Sequence, residues 1–435
     1  MAATTDGKRS DGAASGDGSG GDGSGAGFAP LAWGNLFAQS AEQIAVAAAP
    51  LVAVLAFDAT VAETGSLQTG LTLPFLLLAL PAGVLVDRLS RRRLMVGAEV
   101  LRFLSLAVIL ALFLTGDLTW PLLAVLGFVG VCGSVVFTVA APAMVPELVP
   151  RAQLTVANSR IELARTAAFT AGPAVGGAVV GWAGGGAAFA LATLLAGLAV
   201  GALCRLPETG APSGPRRRIF QDLREGAGFV FRHRLLMPVF VTQFVFGTAL
   251  YMILAVFVPY AVRHLGMSAT GTGLTLAMLG AGMVLGALLA PRIMRLLPFG
   301  RVVAVGPVSG LAASVLLAST IWSGAGWVAA LAFFLLGAGP ILWIISTTTL
   351  RQAVTPARLL GRASALNVLA FGARPIGAGL GALVGGLYGV EACLMATVAI
   401  FAAQAAIILA SPVVGLPAQP GPVADPVADP VAETG

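Results

Sequence analysis

Four polar side chains in one apolar stretch are the first sign of chemistry. Asn35, Gln39, Glu42 and Gln43 fall at i, i+4, i+7 and i+8 and so share one helical face. Facing hydrocarbon, such a stripe would leave amide and carboxyl groups unsatisfied, so it must line a cavity or a helix contact. Glu42 on that face can bind a cationic group or carry a proton, because burial disfavours the charged carboxylate. Interhelical hydrogen bonding without a ligand is the plainer alternative. Glu99 and Arg102 lie three apart and can meet on one face, as a structural ion pair or as a proton-transfer pair. Arg374 precedes Pro375 in another apolar run. There it serves either a carbonyl freed by the proline or the charge of an anionic substrate or of Glu42. Glu162 and Arg165 are spaced for an interfacial pair. Cys132, Cys204 and Cys393 have no paired spacing, and His233 and His264 stand apart. No metal centre, disulfide framework or histidine-based nucleophile is therefore expected.

The elements that must position these groups are membrane helices. Hydrophobic residues make up 57% of the 435, charged residues 10%, and mean hydropathy is +0.93. A soluble chain this apolar could not cover itself with polar surface. Segments of about 20 apolar residues, enough to cross about 30 Å of hydrocarbon, recur along the chain. Twelve are predicted: 30–56, 66–86, 94–115, 119–143, 160–182, 185–205, 236–262, 268–290, 302–322, 326–349, 364–388 and 391–411. Residues 1–27, rich in Gly, Ser, Ala and Asp, and the Pro-Val-Ala-Asp tail over 414–435 are expected to be disordered. A polar linker over 207–235 separates two six-helix bundles, 28–206 and 236–413. Its part around Ile219–Glu225 is expected to form a short helix on the cytoplasmic face.

A net charge of +6 and a pI near 10.0 would suit a nucleic-acid binder, but the distribution argues otherwise. Arginines crowd into the even-numbered connections: Arg88, Arg91, Arg92 and Arg93 in the second, Arg151 and Arg160 in the fourth, and a long series from Arg205 to Arg234 in the sixth. Arg263 alone falls in an odd-numbered one. This alternation is the positive-inside pattern, with both termini cytoplasmic in a cell membrane. The two halves also echo one another. Gly83-Val84-Leu85-Val86-Asp87 has a counterpart at Gly286-Ala287-Leu288-Leu289-Ala290, Ala171-Gly172-Pro173 at Ala373-Arg374-Pro375, and Val149-Pro150-Arg151 at Thr355-Pro356-Ala357. Three matches in order, at nearly one separation, indicate a duplicated bundle, an architecture that places a solute site between its halves.

At this point the residues resemble a known family. Gly83, Leu85, Asp87, Arg88, Arg91 and Arg92 match the cytoplasmic loop signature of the major facilitator superfamily, Gly-x-Leu-Ala-Asp-Arg-x-Gly-Arg-Arg. Val86 stands for its alanine and Ser90 for its second glycine. Ala171-Gly172-Pro173-Ala174-Val175-Gly176-Gly177 resembles the Gly-Pro-x-x-Gly-Gly motif of its antiporters. Pro146-Glu147-Leu148-Val149-Pro150, Leu154, Ala157-Asn158 and Leu360-Gly361-Arg362 look like the enterobactin-exporter and macrolide-efflux branch.

The resemblance implies an all-α membrane protein of twelve transmembrane helices in two pseudo-symmetric bundles, working by alternating access. It implies that helices one, four, seven and ten line the central cavity. Substrate contacts are then expected from Asn35, Gln39, Glu42, Gln43, Gln243, Tyr251, Trp343, Ser346, Thr347 and Arg374, and proton coupling from Glu42, Glu99 and Arg102. It assigns gating to Gly83, Asp87, Arg88, Arg91 and Glu147, with Gly172, Pro173, Gly176 and Gly177 letting helix five pack closely and bend. The expected cargo is a small amphipathic organic molecule (a drug, siderophore or secondary metabolite) exported by proton antiport, as in multidrug efflux. An importer or uniporter of the same fold is the nearest alternative. A membrane-embedded enzyme is the more distant one, because no catalytic constellation is present. No cofactor or nucleotide-binding P-loop is expected, and the protein is expected to act as a monomer in the lipid bilayer.

Overall fold

A computed structural model describes residues 25–86, 88–150, 153–208, 219–356, 359, 370 and 372–420. Among the described residues the regular structure is helical throughout. The helices are α1 (Gly25–Phe57), α2 (Val61–Val86), α3 (Arg91–Thr115), α4 (Trp120–Leu148), α5 (Leu154–Leu203), α6 (Ile219–Arg232), α7 (Leu236–Arg263), α8 (Ala269–Leu296), α9 (Phe299–Ser323), α10 (Gly326–Val354), α11 (Ala373–Tyr388) and α12 (Val390–Leu409). Ten of them are long and apolar enough to cross a membrane. The first part of the predicted eleventh span, the two chain ends and most of the connection before α6 lie outside the described residues.

Local chemistry sets the helix ends. At the start of α2, Thr60 Oγ1 accepts from the Glu63 amide while Glu63 Oε2 accepts from the Thr60 amide, a reciprocal capping box. Ser268 accepts from the Gly271 amide at the start of α8. Gly116 and Gly324 end α3 and α9 with φ of 81° and 62°.

The 50 residues of α5 would measure about 75 Å as one straight helix, more than twice the hydrocarbon thickness. The helix reverses instead at Gly184, whose φ of 80° and ψ of 172° suit glycine alone. The reversal is visible in what each arm touches on α1. Asn35 Nδ2 donates to the Ile161 carbonyl, and Gly34 packs on Leu203. The two ends of α5 thus meet α1 at one level, while Gly185 near the bend meets Val52. The segment therefore supplies the fifth and sixth spans predicted from the sequence.

The two halves repeat their internal bonds. Ser105 of α3 donates to the Leu126 carbonyl of α4, and Ser309 of α9 donates to the Leu335 carbonyl of α10 at 2.9 Å. Gly130, four residues past Leu126, faces Ser105; Gly339, four past Leu335, faces Ser309. Likewise Gly176 presses on the Ile44 carbonyl and Gly377 on that of Thr248. These contacts pair Gly172 with Ala373, shifted by one residue from the pairing read in the sequence.

The halves meet along two seams, α5 against α8 and α2 against α11. Both are lined by small residues: Gly177 lies against Gly273, Gly181 against Thr270, and Gly65 against Ala382. Small side chains let helix backbones touch where no hydrophobic effect separates helix from lipid. The predicted helix of the linker extends over all of α6, and its Val230 is buried with Leu236, Phe299 and Val303 of the second half.

Candidate functional site

The strongest electrostatic feature lies inside the first bundle. Arg102 of α3 donates through Nη2 to Glu99 Oε2 at 2.6 Å and through Nη1 to Glu42 Oε2 of α1 at 3.3 Å. The same Nη1 donates to the Ala38 carbonyl at 2.7 Å. Glu99 is fully buried and Arg102 almost so. Two carboxylates around one guanidinium leave one uncompensated negative charge in a low-dielectric interior when both are ionised. That arrangement is costly and is relieved by taking up one positive charge.

The polar stripe of α1 therefore divides between neighbours. Asn35 is buried against α5, and Gln43 packs against Gly172 of α5, whereas Glu42 turns to α3. Gln39, buried, sits between these positions on the same helix.

Arg374 occupies the region between the halves. Its guanidinium lies 4.9 Å from the Phe75 ring of α2 and 5.5 Å from the Tyr251 ring of α7. An arginine between two aromatic faces is held by its charge and its plane together. Gln243, on the same helix as Tyr251, is half-buried.

The other expected contacts turn inward. Trp343 and Ser346 are buried in the second bundle, with the Trp343 ring tilted at 56° to that of Phe246, 5.7 Å away. Ser346 and Thr347 spend their hydroxyls on the Trp343 carbonyl one turn earlier.

The loop after α2 binds within its own half. Asp87 lies outside the described residues. Arg88 closes a turn by donating its amide to the Leu85 carbonyl. Glu147 at the end of α4 pairs with Arg91. Arg92 donates to the Cys204 carbonyl at 2.7 Å and to Glu208 at 3.1 Å, so the start of α3 also clamps the end of α5. Gly83 has open space where a side chain would stand, whereas the carbonyl of Pro173 and the backbone of Gly177 touch Gly273 across the seam. Gly176 fits over Ile44 and Ala47 of α1.

One contact between the halves was marked in the sequence by the exception that Arg263 makes to the charge pattern. Arg263, the basic residue of the odd connections, donates to Asp58 Oδ1 at 2.7 Å and to the Ala59 carbonyl at 2.9 Å. It thereby ties the end of α7 to the connection between α1 and α2, at the end of the molecule opposite the arginine-rich loops. Among the described residues no group of three or more His, Cys, Asp and Glu is placed to hold a metal.

Comparison with known proteins agrees with this architecture. A family model described as "Transmembrane secretion effector" matches residues 31–428. A search of curated proteins finds no match. Among solved structures, a POT family transporter in complex with 5-aminolevulinic acid is similar at a TM-score of 0.71 and 12% identity, over 89% of this chain and 96% of that one. A bacterial homologue of the human lysosomal transporter Spinster, in an inward-facing conformation, gives 0.69 and 14% over 91% and 98%. A D-xylose–proton symporter gives 0.65 and 17% over 88% and 97%. At these identities the likeness is one of fold.

Proposed function

The chain belongs to the transmembrane secretion effector family of major facilitator superfamily transporters, and on that premise we propose that it exports a small amphipathic organic molecule in exchange for protons. The observation that carries this reading is the Glu42–Arg102–Glu99 cluster, with Glu99 and Arg102 buried and Glu42 partly so, which holds one negative charge more than positive when both carboxylates are ionised. A proton bound there neutralises the cluster, and its release restores the charge. The two protonation states then differ in electrostatic energy, which is what a coupled conformational equilibrium requires.

Arg374, Tyr251 and Phe75 form the substrate-facing wall between the halves, with Gln243 beside them. Aromatic faces around one cation suit an amphipathic molecule, apolar surface for its body and charge for a polar or anionic end. The arginine-rich loops face the cytoplasm, both termini lie there, and the Asp58–Arg263 contact faces outward, in the plasma membrane. In this assignment the seams and the ion pair close the outer side. The protein works as a monomer, since each monomer holds both halves of the pathway.

Substrate-dependent proton flux in proteoliposomes tests the proposal. A panel of anionic, neutral and cationic amphipathic compounds is offered with an imposed pH gradient. Wild-type protein should exchange at least one class for protons, Glu42→Gln should lose gradient-driven export while still inserting, and Arg374→Ala should lose anionic compounds first. Full export by Glu42→Gln would remove the proton route.

A further inference from the structure

The duplicated bundles differ at one equivalent place. Ser105 and Ser309 correspond through their matching bonds to α4 and α10, and the glycines facing them, Gly130 and Gly339, correspond in turn. One turn past those glycines stand Ser134 and Trp343; one turn before the serines stand Arg102 and Gly306. In the second bundle the Trp343 side chain packs directly over Gly306, beside Phe246, and fills the space between α7, α9 and α10. In the first bundle the corresponding space is a cavity of about 40 Å³, room for about three water molecules. Its lining is mostly apolar, Leu71, Ile109 and Phe189 included, and Glu42, Arg102, Ser105 and Ser134 are the polar residues on it.

Three groups on this lining have bonding capacity to spare: the Ser134 hydroxyl, Glu42 and Nε of Arg102. The Ser134 hydroxyl is 1% exposed and has no partner among the described residues. Glu42 reaches Arg102 through one oxygen. The charged groups facing Glu42 are Arg102 and Glu99 of α3 and, within electrostatic range, Arg165 of α5 with its partner Glu162. The described cavity wall from α2 and α4 carries no titratable group.

We propose that this cavity is a hydrated proton site, in which a short water cluster bonded to Ser134 carries a proton to and from Glu42. The step is simple in its balance: a hydronium in the cluster gives its proton to a Glu42 carboxylate oxygen, an O–H bond forms, and water remains. The reverse step breaks the same bond. The site lies inside the first bundle rather than between the halves, so proton and substrate occupy different cavities and meet only through the movement of α1. The tryptophan in the second bundle removes the same capacity there. This inference rests on the antiport reading above but makes a separate claim about Ser134 and the cavity.

The test uses the full-length protein in lipid and the proton itself as probe. Infrared difference spectra isolate the Glu42 carboxyl band, with Glu42→Gln as the blank, and give its hydrogen–deuterium exchange rate. Ser134→Leu, which fills the cavity, should slow exchange by about tenfold or more, the equivalent of one lost water-bridged hydrogen bond. Ser134→Thr, which keeps the hydroxyl and narrows the space, should fall between that variant and wild type and covers the case in which Ser134→Leu does not fold. Unchanged exchange in either folded variant would overturn the site, as would a band that responds to sodium and not to pH. A Ser134-dependent Glu42 signal in a protein that moves no protons with any compound would sink the antiport reading and leave the site standing.

Discussion

Asp58 Oδ1 lies 2.7 Å from Arg263 Nη2, and with that contact the connection after α1 is joined to the end of α7. The pair is a charged link between two halves whose seams are lined largely by small residues. It is also wet, with Asp58 96% exposed, so its worth is at most about 1 kcal/mol.

Asp58→Asn or Arg263→Gln should therefore open the outer side by no more than about fivefold in population. Spin labels on the outer ends of α2 and α11 would report the shift as a longer distance component. The swapped pair Asp58→Arg with Arg263→Asp should restore the wild-type distribution. A swap that behaves like either single variant would show that the contact has no part in the equilibrium.

Arg102→Ala should be far more damaging than either of those changes. It leaves Glu99 buried without its partner and removes the bond to Ala38 as well. Breaking a buried pair from one side costs about 3–5 kcal/mol. Thermal unfolding in detergent should show the loss, and Glu99→Gln in the same background should recover part of it by removing the stranded charge.

Gly184→Ala should destabilise by about 1–3 kcal/mol, because φ of 80° with ψ of 172° is closed to residues bearing a Cβ. Nothing crowds the position, so the effect is conformational rather than steric. Gly97→Ala in α3, equally uncrowded but helical, is the control and should gain about 0.5–1 kcal/mol. Melting temperatures moving in the same direction would contradict this account of the bend.

Burial of His233, between α6 and α7, lowers its affinity for protons. Its Nδ1 accepts the Leu235 amide at 3.2 Å, a bond that only the unprotonated nitrogen can accept. The folded chain thus binds fewer protons than the unfolded one. The contribution is complete above the ordinary histidine value of about 6.5 and is lost as pH falls from there through the lowered folded value. Amide exchange at Leu235 should accelerate on acidification across that window more than at neighbouring amides. In His233→Phe the local pH dependence should vanish.

Much of this was legible in the residues. Span length and hydropathy located the helices, and the Gly184 break falls between the predicted fifth and sixth spans. Spacing alone placed Glu99 beside Arg102. It did not reveal that Glu42, from a helix far away in the chain, would share the same guanidinium, because interhelical contacts have no period to read. Trp343 and Ser346 looked available to a substrate, yet both face the core of their own bundle. An almost uniformly apolar helix gives no polar stripe to say which way a side chain points. Ser134 was invisible as a lone serine among glycines and valines, and it acquires meaning only beside Trp343. Arg263 did carry a signal: a basic residue in an odd-numbered connection breaks the charge pattern and needs a local reason.

The segment after α12 matters to anyone who edits this gene product. Val413 is fully buried, and the carbonyls of Leu416 and Pro417 accept the amides of Gly300 and Phe299 at the start of α9. A purification handle or fluorescent reporter joined well beyond Pro417 leaves those bonds in place. Trimming the chain back to the last helical turn would expose the first amides of another helix and uncover its apolar base, so the two ends of the second bundle are best treated as one piece when truncations are drawn.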